Sequence, residues 1–352
     1  MGGSERFVRM VDKSDVADRI GSVTRGSNVG RAPRWDDGTG TYTRRVDRAG
    51  ALDATPAPGG AELVGRVVAW FDAHRRALPW RARDRTPWGV LVSEVMLQQT
   101  PVVRVEPAWR AWMGRWPTPA DLAAASPADV LRAWDRLGYP RRALRLQECA
   151  RALVDRHGGV VPRDEAELRA LPGVGEYTAA AVRAFGYGLR SVVLDTNVRR
   201  VLARAVDGHA LPAPALSRAE HARAAVLVPD DDEAAARWAA ASMELGALVC
   251  TARSPRCDAC PVADACAWRA AGFPGDAHAH RRRTQAWAGT DRQVRGRLMA
   301  VLREAPGPVP EHVLDEAWPA GPQRARCLDG LLVDGLVTVA DGADGPSYAL
   351  PA

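Results

Sequence analysis

From residue 61 onward the chain repeats one pattern. In "AELVGRVVAWFDAHRRALPW" apolar residues recur three and four positions apart, the mark of a helix with one buried face. The same period predicts helices over 88–99, 102–115, 127–137, 141–157, 164–171, 176–186, 196–207, 217–227 and 233–249. Strand-like alternation is almost absent, so the body is expected to be all-α. After Cys266 the pattern changes. "AHAHRRRTQAWAGTD" reads as a basic linker, helical stretches follow near 292–304, 309–317 and 321–335, and "GLVTVADGADGPSYALP" reads as a hairpin around a Gly/Asp turn. Three helices and a hairpin predict a small winged-helix-like C-terminal module. Residues 1–60 show no sustained apolar period, are rich in Gly, Ser, Thr, Asp and Arg, and read as a disordered leader.

The chain has 352 residues, enough for two or three domains, and its 26% charged and 47% hydrophobic content is ordinary for a globular protein. No run approaches the roughly 18 apolar residues that span a bilayer, so no membrane role is expected. The N-terminus has no apolar core of signal-peptide type, which places the protein in the cytoplasm. A formal charge of +6 favours a polyanionic partner. Nearly all that charge is arginine: Lys13 is the only lysine. No amine beyond residue 13 is therefore available to form a Schiff base.

Of the six cysteines, Cys250, Cys257, Cys260 and Cys266 fall in one stretch, "CTARSPRCDACPVADAC". In a cytosolic chain a metal is a better reading than a disulfide framework. A single C-x-x-C flanked by longer loops suits a four-cysteine iron–sulfur cluster better than zinc, the alternative, which usually takes two short knuckles. Cys149 lies in a helical pattern as an inert buried thiol, and Cys327 has no assigned role.

"SEVMLQQT" places Glu94 on a helix face shared with Val90, Leu91 and Leu97, an odd position for a carboxylate. Apolar burial would raise its pKa from about 4.3 and keep it protonated near neutral pH, as a general acid requires. "LPGVGEYTA" sets Gly173, Val174 and Gly175 in a tight turn whose following helix, starting near Glu176, points free N–H groups back at it. This is either a plain corner or a cradle for a phosphate. Asp195 in "LDTNVRRVLAR" is either simply a helix N-cap or a second working carboxylate, with Asn197 beside it.

These pieces occur in one order. The chain resembles the helix-hairpin-helix DNA glycosylases with an iron–sulfur cluster, and within them the MutY-type adenine DNA glycosylases. The likeness runs from about Leu78 to Cys266 and includes "LPWR", "RLGYP", "HGGVVP" and "MELGALVC". It implies a six-helix barrel with the hairpin over 86–191, a cluster domain from 61–85 and 192–270, a linker over 271–291 and the module over 292–352. It also implies one [4Fe-4S] cluster on the four clustered cysteines. Glu94 would protonate the adenine, Asp195 stabilise or trap the sugar cation, and Tyr177 and Asn197 support both. Trp80, Arg81 and Glu244 would form the adenine pocket. Gln98, Gln99 and Tyr139 would wedge into the DNA stack and inspect the opposite base, Thr100 would also contact DNA, and Gly173, Val174 and Gly175 would hold the backbone. The partner would be double-stranded DNA with adenine opposite 8-oxoguanine or guanine, the state a monomer, and the location the cytoplasm of a bacterium, on its nucleoid.

Relatives that cleave the backbone carry a lysine where this hairpin has Tyr177, so the resemblance implies a monofunctional enzyme. Two departures stand out. Pro140 replaces the second aromatic of the family's "GLGYY", and the 86 residues after Cys266 do not look like the usual Nudix-like domain. Arg281, Arg282 and Arg283 would either contact DNA or form a solvated linker. A thymine–guanine mismatch glycosylase on the same scaffold and a non-catalytic DNA-binding protein are the competing readings. Glu94 weighs against the first, and two buried acids weigh against the second.

Overall fold

In the computed structural model, residues 59–281, 287–342 and 345–352 are described. The leader up to residue 58 and the side chains of Arg281, Arg282 and Arg283 lie outside them. The body is helical. α1 (Gly60–His74) opens it, and a 3₁₀ turn at Pro79–Arg81 leads to α2 (Pro87–Leu97). Then come α3 (Val102–Arg115), α4 (Pro119–Ala124), α5 (Pro127–Trp134) and α6 (Arg141–His157). After these follow α7 (Glu165–Arg169), α8 (Glu176–Ala181), α9 (Thr196–Ala205), α10 (Arg218–Val226), α11 (Asp232–Leu248) and α12 (Ala267–Ala270).

Local chemistry sets most starts. Thr86 and Ser126 cap α2 and α5 ahead of a proline in the first turn, and Thr118 with Asp121 forms a capping box on α4. That box is the signal for α4, a helix too short for periodicity to reveal. α8 runs on into one π-helical turn at Val182–Gly186, and the expected 127–137 helix closes in a 3₁₀ turn at Asp135–Leu137.

Two cores hold these helices. In one, Leu91, Met96, Trp112, Trp134, Leu146 and Leu153 are sealed among α2 to α8, with Trp112 edge-on to both Trp116 and Trp134. In the other, Val67 and Phe71 of α1 meet Val201 of α9 and Trp238 and Leu245 of α11. α1 therefore packs with the chain's later helices, and the two cores flank a cleft.

The C-terminal module contains α13 (Asp291–Glu304), α14 (Pro322–Val333) and a three-stranded antiparallel sheet. The sheet orders β1 (Val309–Pro310), β3 (Gly345–Ala349), β2 (Thr338–Gly342), with Val309 opposite Tyr348 and Thr338 opposite Ala349. The helix expected over 309–317 is instead this short strand followed by a 3₁₀ turn at Glu311–Asp315. Pro310 has no N–H to give a helix and tolerates a sheet edge. The module docks on the body through Arg141–Asp334 at 3.1 Å and through Arg132, which donates to the Ala305 carbonyl at 3.3 Å.

Candidate active site

Residues 88–96 of α2 are buried on every side, so Glu94, 6% exposed, has little water to solvate a charge. Burial pushes its carboxyl up to about 7, and Asp195 pushes the same way, while the Tyr177 hydroxyl and Arg81 oppose them. Tyr177, from the first turn of α8, donates to Glu94 Oε2 at 2.9 Å. Burial and the two carboxylates hold the phenol's own pKa well above its usual value, so it stays a donor.

Asp195 is the N-cap of α9. Its Oδ1 accepts from the backbone N–H of Asn197 at 2.9 Å and of Val198 at 2.7 Å, and its Oδ2 from the Asn197 amide at 2.6 Å. Burial raises its pKa; those three donors and the charge of Arg200 oppose the rise. Arg200 extends the network, donating to Asn197 Oδ1 at 2.8 Å, Gly246 O at 2.7 Å and Cys250 O at 2.7 Å. A Cβ on Gly246 would stand 2.7 Å from the Asn197 Cβ, so only glycine lets α11 come this close to α9.

Glu94, Tyr177, Asp195 and Asn197 all line one cleft of about 510 Å³ with Trp80 and Arg81. That volume falls within the roughly 300–1,000 Å³ usual for small-ligand sites. Trp80 meets Trp109 edge-on at 5.8 Å. Glu244 does not reach the wall. It is wholly buried, accepting from the Arg76 N–H at 3.0 Å, Nε at 2.9 Å and Nη2 at 2.7 Å. Burial would raise its carboxyl, but Arg76 and Arg81 outweigh that and hold it below the usual range. Arg81 Nη1 sits 3.1 Å from Glu244 Oε2 yet makes no hydrogen bond, leaving a buried donor at the cleft. The sequence assignment of Glu244 to the pocket thus becomes indirect: it fixes the arginines that face the cleft.

Gln98, Gln99 and Thr100 form the cleft's rim. Gln99 has φ 55° and Tyr139 φ 48°, both in the left-handed region that non-glycine residues seldom occupy. Arg142 of α6 ties the two loops together, donating to Val95 O at 2.8 Å, Gln98 O at 2.6 Å, Leu137 O at 3.0 Å and Gly138 O at 3.0 Å. Thr100 is buried, giving its hydroxyl to Leu137 O at 3.0 Å, so it shapes the loop rather than facing outward. Tyr139 is exposed, with Arg142 and Arg292 over its ring at 5.7 and 4.5 Å. Pro140, the departure from the family motif, begins α6 immediately after it.

In the hairpin, Gly173 has φ 80°, and a Cβ there would lie 2.6 Å from Arg145 Cγ. Val174 is buried, and no side chain caps Gly175 at the start of α8. Sequence reasoning missed Arg76, Arg142 and Arg200. The one available signal was that Arg200 and Arg204 sit one turn apart on a helix face that packs inward.

Cys250, Cys257, Cys260 and Cys266 line a separate small pocket with Arg204 and Arg269 on its wall. Among the described residues no group of His, Cys, Asp or Glu could hold a single metal ion. All four cysteines line this one pocket, as the ligands of a single cluster would. Arg204 Nη1 lies 3.4 Å from Cys250 Sγ, placing positive charge beside what would be four thiolates.

Residues 92–225 match the HhH-GPD superfamily of base excision DNA repair proteins, and residues 250–266 match the iron–sulfur binding domain of endonuclease III. The chain is 56% identical to an adenine DNA glycosylase of Mycolicibacterium smegmatis over 278 residues, covering 78% of this chain and 93% of that one. It is 54% identical to an adenine DNA glycosylase of Mycobacterium tuberculosis over 288 residues, 81% of this chain and 92% of that one. A thermostable thymine-DNA glycosylase superposes with a TM-score of 0.55 at 26% identity, over 61% of this chain and 98% of that one.

Proposed function

The chain belongs to the adenine DNA glycosylases, DNA-binding base excision repair enzymes with a helix-hairpin-helix and a [4Fe-4S] cluster, and from that premise we propose how its residues act. Its substrate is adenine opposite 8-oxoguanine or guanine in duplex DNA. The target nucleotide is turned out of the stack at a cost of a few kcal/mol and enters the cleft. Gln98, Gln99 and Tyr139 fill the gap, and the N–H groups after Gly173, Val174 and Gly175 hold a phosphate. Trp80 and Arg81 hold the base, with Glu244 and Arg76 fixing the arginine. Thr100 acts through the loop it shapes.

Glu94 donates its proton to a ring nitrogen of the adenine, improving the leaving group. The C1′–N9 bond then breaks with its electron pair going to N9, leaving positive charge on the sugar. Asp195, as a carboxylate held by three donors, stabilises that cation until water adds at C1′ and gives up a proton to the Glu94 carboxylate, leaving an abasic site. Tyr177 orients Glu94, and Asn197 orients Asp195. The observation that carries the reading is the pair itself: a carboxyl pushed up to about 7 with one donor shares a cleft with a carboxylate held by three. The lone lysine at position 13 leaves the hairpin without an amine, so no strand cleavage follows.

Cys250, Cys257, Cys260 and Cys266 hold the cluster. When bound, it supplies iron–thiolate bonds that pin the 250–266 loop against α9. We divide the chain into the barrel over 86–191, the cluster domain from 61–85 and 192–270, a linker over 271–291 and the module over 292–352. The enzyme acts as a monomer in the cytoplasm, on the nucleoid. No helix among the described residues is long and apolar enough to cross a membrane.

Single-turnover base release tests this on duplexes with adenine opposite 8-oxoguanine, adenine opposite guanine and thymine opposite guanine. Adenine release without a borohydride-trapped adduct is expected. Thymine release alone would transfer the chain to the mismatch reading, binding without any release would make it a docking protein, and a trapped adduct would reject the monofunctional assignment.

A further inference from the structure

A second, larger cleft of about 1300 Å³ lies between α13 and the 132–141 segment of the body. Eight arginines and three carboxylates line it. Asp334 is taken up by Arg141 and Arg295, and Asp135 faces Arg303. Arg104, Arg136, Arg292 and Arg297 are exposed on the wall and have no carboxylate partner among the described residues. So much unneutralised positive charge in one concave surface destabilises the folded chain by self-repulsion and calls for an anionic occupant.

Three further observations specify that occupant. Gln99 belongs to the wall of both clefts, so a strand opened at Gln99 for the Glu94 site has its neighbouring nucleotides at the mouth of this one. Arg292 lies between two exposed rings, 4.5 Å from Tyr139 and 5.3 Å from Trp287, which makes a flat platform where an unpaired base can stack. The face that α13 turns to the cleft carries Arg292 and Arg303 with Gly296 and Ala300 between them. A mid-helix glycine costs about 1 kcal/mol relative to alanine. Nothing in the protein comes within 4 Å of where a Cβ on Gly296 would sit, so internal packing does not require it. A sugar–phosphate backbone passing close over the helix would.

We propose that this cleft is a second DNA-binding groove. In it the C-terminal module and the barrel clasp the backbone beside the opened base pair, Arg136, Arg292 and Arg297 neutralise phosphates, and the platform at the mouth takes an unpaired base. The inference rests on the DNA reading above and adds a role for the module to it.

The test uses the full-length, cluster-bearing protein and a duplex long enough to span both clefts, with affinity measured by fluorescence anisotropy across a salt series. Neutralising three phosphate contacts in the triple variant Arg136→Gln, Arg292→Gln, Arg297→Gln should flatten the slope of log affinity against log salt by about 3, with an affinity loss on the order of 10²-fold at low salt. A slope and affinity equal to those of the unaltered protein would overturn the groove. Gly296→Glu guards against misfolding, because glutamate is the better helix former and places a like charge against the strand. It should melt at the same temperature or higher while binding duplex at least tenfold more weakly. Unchanged duplex affinity in that variant, with an acidic peptide bound instead, would assign the cleft to a protein partner and reject the proposal. An unaltered protein that neither binds duplex nor releases adenine fails earlier, at the function itself. One that does both while Gly296→Glu matches it fails at the groove alone.

Discussion

The two walls of the cleft that holds Glu94 and Asp195 treat a carboxylate differently. On the barrel side, Glu94 projects from a helix that is apolar all round and meets one hydroxyl. On the cluster side, Asp195 sits at a helix start with three donors and an arginine behind its asparagine. Glu94 is buried and Asp195 partly so, and loss of water pushes both carboxyls upward. The number of donors decides how far each moves, so burial by itself does not tell an acid from a counter-ion. Position along a helix does: mid-helix N–H groups are already taken, whereas the first turn offers several.

Glu94→Gln keeps the shape and the Tyr177 contact but removes the proton, and should slow single-turnover adenine release by roughly 10²–10⁴-fold while duplex affinity stays within a few-fold. Full activity would end the assignment of the acid. Asp195→Asn should cost somewhat less, roughly 10²–10³-fold. Its residual rate should still fall as pH rises, with a midpoint below that of the unaltered protein, because the proposed acid must be protonated to act and the Asp195 charge that helps hold the Glu94 carboxyl up is gone. A flat profile in this variant would mean that the wrong group has been given the pH dependence.

Stability should separate the walls too. Glu94 binds its proton more tightly folded than unfolded. Its stabilising contribution is therefore complete below the unfolded value of about 4.3 and declines as pH rises through about 7. Glu94→Gln should gain on the unaltered protein by up to about 3 kcal/mol at pH 8 relative to pH 4, read from denaturant melts. Asp195→Asn should change little, since asparagine caps helices nearly as well. The smallest effect belongs to Tyr177→Phe. Losing the donor should move the pH midpoint of activity upward and slow release less than about tenfold, consistent with one hydrogen bond.

Much of this was legible in the chain. Glu94 betrays itself by sitting on a face its neighbours bury, Asp195 by its place before "TNVRRV", and the four thiols by their spacing. Helix periods placed α3 and α6 to the residue. What periodicity cannot carry is partnership across the fold. Arg142 looks like any surface arginine until the carbonyls of Val95 and Gln98, more than 40 positions away, arrive beneath it. Glu244 reads as a pocket residue, but Arg76 occupies its oxygens from 168 positions away. The expected 309–317 helix failed for a related reason. The apolar spacing there is compatible with a helix, but pairing with Tyr348 is a long-range gain that local pattern does not contain.

One feature of the rim reaches beyond chemistry. Gln99 and Tyr139 hold backbone angles that cost on the order of 1–3 kcal/mol each, and Arg142 keeps them there before any duplex arrives. That distortion is drawn from the reserve of the folded chain and not from the encounter with DNA. On the proposed DNA reading the protein meets every base step with these two tips already bent, and how readily a given step yields depends on the stacking of that step, not on any reshaping of the protein.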